Sequence, residues 1–172
     1  SRLAAGRTRQ PVLTREEFAS LAELAPREGA LRDEESRMIR NLLGLRAVRV
    51  QDIMTPRNVV FTVRADQTVA EVAGQRFELP FARMPVVGDG PDDLLGLVHR
   101  YEVLRTHRAG ADARTMRQLM RPLHFVPDAA SVADAMRQMI ERREQFFAVV
   151  DEYGGTAGVV TMEDAIETLL GA

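Results

Sequence analysis

A hydroxyl and a carboxylate three residues apart, Thr161 and Asp164, stand where a helix should begin in the segment Asp151–Gly171, DEYGGTAGVVTMEDAIETLLG. Two kinds of chemistry suit that spacing. One is capping, in which the hydroxyl and an acidic side chain accept hydrogen bonds from backbone N–H groups that the first helical turn leaves unpaired. The other is ligand binding, with phosphate at the positive end of the helix and ribose hydroxyls on the carboxylate. The pair by itself leaves both open.

The elements that must position the pair are legible in the pattern. Tyr153-Gly154-Gly155 reads as a tight turn, because glycine adopts positive φ without steric cost. Thr156–Val160 reads as a buried strand. Thr161-Met162-Glu163-Asp164 then opens a helix whose apolar face is Ala165, Ile166, Leu169 and Leu170.

The same grammar occurs twice. Met54-Thr55-Pro56 of DIMTPR falls on Met120-Arg121-Pro122 of QLMRPL, and Thr68-Val69-Ala70-Glu71 falls on Ser131-Val132-Ala133-Asp134. Met84-Pro85-Val86-Val87 falls on Phe147-Ala148-Val149-Val150, and Gly96-Leu97-Val98 on Gly158-Val159-Val160. The offset is roughly sixty residues, longer than most solenoid repeats, so each copy is a small subdomain rather than one turn of an array. In each copy a post-proline apolar run, Asn58–Val63 or Leu123–Val126, predicts a short strand. Thr68 and Ser131 are N-caps followed three residues on by an acid. The second of these helices shows Val132, Ala135, Met136, Met139 and Ile140 on one face. Two hairpins follow, Met84–Val87 with Leu94–Val98 and Phe146–Val150 with Thr156–Val160, joined by GDGPDD and DEYGG. Helices from about Tyr101 and about Met162 close the copies. The order is strand, helix, strand, strand, helix, twice, an α+β arrangement. One copy is too short to cover both faces of its sheet, so the two should pack together.

Composition narrows the function. The 172 residues carry a formal net charge of −2, no cysteine, and 23 basic residues that are all arginine. That balance gives no general electrostatic reason to bind nucleic acid. Without cysteine there is no disulfide framework and no thiolate metal site. No apolar run is long enough to cross a bilayer, and no signal peptide is evident. His99, His107 and His124 are scattered outside any metal-ligand spacing, and no P-loop, nucleophile elbow or catalytic constellation occurs. Asp92-Asp93 reads as turn chemistry, and Arg142-Arg143 as a solvated helix end that favours cations. Before the first repeat, Ser1–Pro11 is basic and unpatterned, and Thr14–Leu24 and Asp33–Leu45 read as helices. The first opens on the capping box Thr14-Arg15-Glu16-Glu17, and Met38, Leu42 and Leu45 mark an apolar stripe on the second. The organisation is a lead-in over residues 1–46, a first repeat over 47–109 and a second over 110–172.

The doubled unit resembles a tandem CBS (cystathionine-β-synthase) domain pair. DIMTPR, DEYGGTAGVVTMEDAIETLLG and the lead-in LTREEF…GALRDEESRMIRNLLGLRAVRVQDIMTPR resemble the cytoplasmic part of CorC/HlyC-type transporters, bacterial relatives of the CNNM magnesium transporters. The resemblance covers the chain from about Leu13. It implies a non-catalytic regulatory module of a magnesium or divalent-cation transporter in the bacterial inner (plasma) membrane. It further implies ATP, or AMP or ADP, bound with Mg2+ through the phosphates, a homodimer, and a membrane-spanning domain outside this fragment. A ligand-free CBS dimerisation scaffold and an AMP-type energy sensor attached to another protein are the alternatives.

Carried over by resemblance, Asp164 holds the ribose hydroxyls, Thr161 faces phosphate and Val159 lines the base pocket. Across the cleft, Thr55 and the run Phe81-Ala82-Arg83-Met84-Pro85 wall the adenine and phosphates. Arg83 is the phosphate partner, since a guanidinium donates two parallel hydrogen bonds; the plain alternative is a surface arginine starting a strand. Where the second repeat has Thr161 and Asp164, the first has His99 and Glu102, a departure that argues for one nucleotide per chain.

Overall fold

The chain follows the doubled order of the repeat. In a computed structural model, which describes residues 32–74, 79 and 81–171 together with 19 and 29, the helices are α1 (Asp33–Gly44), α2 (Val50–Ile53), α3 (Val69–Gly74), α4 (Arg100–Arg108), α5 (Met116–Leu119), α6 (Val132–Arg142) and α7 (Met162–Leu170). The strands are β1 (Thr55–Pro56), β2 (Val63–Arg64), β3 (Arg83–Val87), β4 (Leu94–His99), β5 (His124–Pro127), β6 (Phe146–Val150) and β7 (Thr156–Thr161). Two compact units result, Arg46–Ile166 and Ser1–Leu45 with Glu167–Ala172.

In the smaller unit, α1 begins with Asp33, Glu34 and Glu35, whose charges suit the positive end of a helix. Asn41 Nδ2 donates to the Leu169 carbonyl at 2.9 Å. Of the expected stripe only Leu45 is buried; Met38 and Leu42 are largely exposed. The expected tail Ser1–Pro11 and helix Thr14–Leu24 lie outside the described residues, Ala19 apart.

In the larger unit the helix starts are as the sequence predicts. The Thr68 hydroxyl accepts from Glu71 N–H at 3.2 Å while the Glu71 carboxylate accepts from Thr68 N–H at 3.3 Å. Ser131 Oγ accepts from Asp134 N–H at 3.1 Å. Val132, Ala135 and Met139 bury one face of α6, whereas Ile140, expected on that face, is 66% exposed. The hairpin turns are held by carboxylates. Asp151 Oδ1 accepts from the N–H groups of Tyr153 and Gly155, and Asp93 Oδ2 accepts from Asp89 N–H.

The strands form two sheets. One is ordered β1-β7-β6-β5 and the other β2-β3-β4. Within each, the repeat's own first strand runs parallel to its second, β2 to β3 and β5 to β6, and the hairpin is antiparallel. The extra strand of the larger sheet comes from the other repeat: β1 pairs with β7 through Thr55–Val159 and Pro56–Gly158. The exchange is reciprocal, for Arg121 and Leu97 trade both backbone hydrogen bonds at 2.8 and 2.9 Å. Glycine makes both crossings. A Cβ on Gly158 would run into the Thr55 carbonyl, and one on Gly96 would meet the Arg121 carbonyl at 2.7 Å. The short helix ahead of each crossing is exchanged too. Val50 and Ile53 pack in the core of Val126, Ala135, Phe147 and Val160, while Met116 and Leu119 pack in that of Val69, Met84, Val98 and Val103.

One expected strand is largely absent. Asn58–Val63 forms a 3-10 turn at Arg57–Val59 and pairs only from Val63. β-branched residues make a strand only where a neighbouring edge receives them. Here β7's outer edge ends its partnership at Pro56, and Arg57 turns away to ion-pair with Asp92 at 2.9 Å.

Candidate functional site

Opposed residues of an antiparallel pair project from the same face of a sheet. Arg83 opposes His99 and Pro85 opposes Leu97 in the first repeat; Phe146 opposes Thr161 and Ala148 opposes Val159 in the second. Leu97, Phe146 and Val159 form one buried cluster with Val60 and Leu123, so these faces meet between the repeats. Arg83, His99 and Thr161 stand at the ends of strands on these faces, which places them at the edge of the inter-repeat contact.

At the second repeat's end, Thr161 and Asp164 cap α7 reciprocally. Thr161 N–H donates to Asp164 Oδ2 at 2.8 Å, and Asp164 N–H donates to Thr161 Oγ1 at 3.2 Å. Both side chains are half-buried. The strand exchange lays Thr55 beside Val159 in the same sheet.

The remaining expected residues lie on the first repeat's β3. Phe81 is half-exposed ahead of the strand, its ring tilted against Phe61 with centroids 6.0 Å apart. Ala82 anchors the strand to the next helix, its carbonyl accepting from Arg100 N–H at 2.9 Å. Pro85 is buried one residue before β3 meets β2, at a position that short strand does not reach. Arg83 Nη2 donates to Gln145 Oε1 at 2.7 Å, and the Gln145 carbonyl accepts from Met162 N–H at 2.9 Å. Gln145 thus links Arg83 to the first residue of α7.

Arg83 also lines a cavity of about 290 Å³ between the repeats, with Leu97, His99, Arg121, Pro122 and residues 142–146. Arg142 and Arg143 are exposed, as a solvated helix end would be, yet they wall this cavity. Arg143 takes the left-handed position that ends α6 and turns the chain into β6. Arg121 escaped notice as well, although the repeat itself points to it, because it occupies the place of Thr55. The pKa of His99, at the place of Thr161, lies below its ordinary 6.5, lowered first by burial and then by Arg121 and Arg83, against the opposing pull of Glu102 and Glu144. The other two histidines have local partners, His107 with Asp112 at 2.7 Å and His124 with Gln138 at 3.0 Å.

Comparison with known proteins agrees with this arrangement. The CBS domain family model matches residues 50–108 and 116–171. The chain is 31% identical over 140 residues to the magnesium and cobalt efflux protein CorC of Escherichia coli, and 32% identical over 163 residues to a UPF0053 protein of Synechocystis. Those matches take in 81% and 95% of this chain but 48% and 47% of the relatives, so the chain spans about half the length of each. A structure of the CBS domain of the bacterial CNNM/CorC family Mg2+ transporter superposes with a TM-score of 0.86 at 29% identity, covering 94% of this chain and 98% of the other. A structure of that domain in complex with ATP superposes with a TM-score of 0.74 at 30% identity, covering 80% and 97%. With two family matches in tandem, a reciprocal strand exchange and this structural likeness, the chain belongs to the CBS domain family, as a tandem pair of the CNNM/CorC type.

Proposed function

We propose that this CBS pair is a nucleotide-sensing regulatory module of a CNNM/CorC-type divalent-cation transporter, binding one ATP with Mg2+ in the cleft beside Thr161 and Asp164 and acting as a homodimer. The observation that carries the reading is the half-buried hydroxyl–carboxylate pair at the start of α7, with the other repeat's Thr55 laid beside it. The ATP complex of a similar domain supports the ligand class. In this reading Asp164 accepts from the ribose hydroxyls, Thr161 faces phosphate, and Val159 and Pro85 border the apolar part of the cleft with Phe81 at its rim. Arg83 reaches the phosphates from the Gln145 link, and Mg2+ offsets phosphate charge that one arginine leaves unbalanced.

Isothermal titration of the 172-residue chain with ATP, with and without Mg2+, tests this. One site per chain, tighter with Mg2+, is the expected result. No heat of binding under either condition would favour the ligand-free dimerisation scaffold, and a preference for AMP over Mg2+-ATP would favour the energy sensor.

A further inference from the structure

The cavity between the repeats has a chemistry of its own. Four arginines, Arg83, Arg121, Arg142 and Arg143, line it against a single lining carboxylate, Glu144. Glu102, at the place of Asp164, is not a ribose acceptor of the same kind: Arg105 takes its Oε1 at 2.8 Å, and Arg121 lies 3.9 Å from Oε2. No hydrogen bond or ion pair engages the Arg142 or Arg143 guanidinium among the described residues. Backbone geometry adds an independent sign. Arg143 is the only non-glycine among the described residues with positive φ, at 56°. A helix end of that shape is ordinarily glycine, and a side chain kept in it carries a conformational penalty. The electrostatics agree, because after burial it is Arg121 and Arg83 that lower the pKa of His99.

We infer that this cavity is an oligophosphate site, taking a linear di- or triphosphate group through Arg121, Arg142 and Arg143 without recognising a nucleoside. Guanidinium groups donate paired, charge-assisted hydrogen bonds to phosphate oxygens. A space of about 290 Å³ exceeds what a single phosphate needs, given roughly 30 Å³ for each liquid water displaced. Glu144 at the wall favours ligands carrying several negative charges over a singly charged one. The phosphate chain has two sources, a free oligophosphate or the tail of a nucleotide whose ribose sits at Asp164, and both present the same group to the arginines.

Calorimetric titration with sodium tripolyphosphate, without added Mg2+ and at about 0.15 M salt to screen loose charge pairing, separates the outcomes. The site predicts saturable binding to the wild-type chain and to Asp164→Ala alike, and a loss of about tenfold or more in Arg142→Gln/Arg143→Gln. Arg137→Gln, an exposed arginine on the same helix, should bind as wild type does. Arg143→Gly should bind tripolyphosphate more weakly yet melt at a higher temperature, since glycine relieves the left-handed position. Competition by ATP that disappears in Asp164→Ala assigns the site to a nucleotide's phosphate tail; absence of competition assigns it to a free oligophosphate. No binding by wild type, or binding that Arg142→Gln/Arg143→Gln and Arg137→Gln change equally, overturns the inference. Because Asp164→Ala removes the proposed ribose contact and one capping acceptor but none of the cavity arginines, the failure of either site is read separately.

Discussion

Conservative chemistry can part the capping role of Asp164 from its proposed ribose role. Its carboxylate accepts from Thr161 N–H in the cap, and asparagine serves almost as well in such a cap. Asp164→Asn is therefore expected to keep folding stability within a few tenths of a kcal/mol, whereas Asp164→Ala loses about 1 kcal/mol by urea denaturation. Both should weaken ATP at least about tenfold, because hydrogen bonds to a charged acceptor contribute roughly 1.5–3 kcal/mol each. Asn binding ATP as tightly as wild type would remove the ribose role. His99 gives a second residue-scale test. Its folded pKa lies below the unfolded one, so the unfolded chain binds more protons as the pH falls through and below 6.5. Stability linked to His99 is present above that range and lost below it. His99→Gln should flatten the decline of melting temperature between about pH 7 and 5, measured by circular dichroism. Both residues stood out in the sequence, but their surroundings did not. Nothing in the linear pattern of Arg142-Arg143 showed that a turn into β6 would set them around His99, because that placement depends on a backbone conformation glycine usually supplies.

At the scale of elements, local pattern and tertiary pairing divided the work. Alternation and turn residues specify the two hairpins, and caps specify α3 and α6; these are local properties, and they were readable. Asn58–Val63 had the composition of a strand but lacked an edge to join, so the run broke into a turn and a two-residue strand. The strand exchange depends on contacts distant in sequence, such as Thr55 with Val159 and Leu97 with Arg121, and its local trace is the glycine at Gly96 and Gly158. Gly158→Ala drives a Cβ into the Thr55 carbonyl, a backbone atom that cannot swing aside as a side-chain end does. It should cost about 1–3 kcal/mol by urea denaturation, the range for overpacking. Gly154→Ala meets no neighbour, but its φ of +79° disfavours a side chain, so a loss of about 1 kcal/mol is expected. Only the first substitution should also weaken ATP, since only it displaces Thr55. Equal effects on affinity would mean that β1 does not border the nucleotide cleft.

For the whole molecule, the apolar surface left outside points to a second copy. In the larger unit, Tyr101 on α4, Ile140 on α6 and Ile166 on α7 are 73%, 66% and 42% exposed. Of the helices carrying them, α4 closes the first repeat and α7 the second, and α6 lies within the second. Such residues on corresponding helices suit a two-fold interface, in which the same patch meets itself. The charge leaves little to oppose association, at −2 for the whole chain. Multi-angle light scattering at tens of micromolar should accordingly give twice the monomer mass of 19.2 kDa. Ile166→Glu places a carboxylate in the patch while leaving the buried Ala165 in its core. It should shift the mass to the monomer and, if the dimer supports folding, make the melting temperature of the wild-type chain alone depend on protein concentration. A monomeric wild type would place those side chains in some other interface. A dimeric Ile166→Glu would instead move the two-fold contact away from α7.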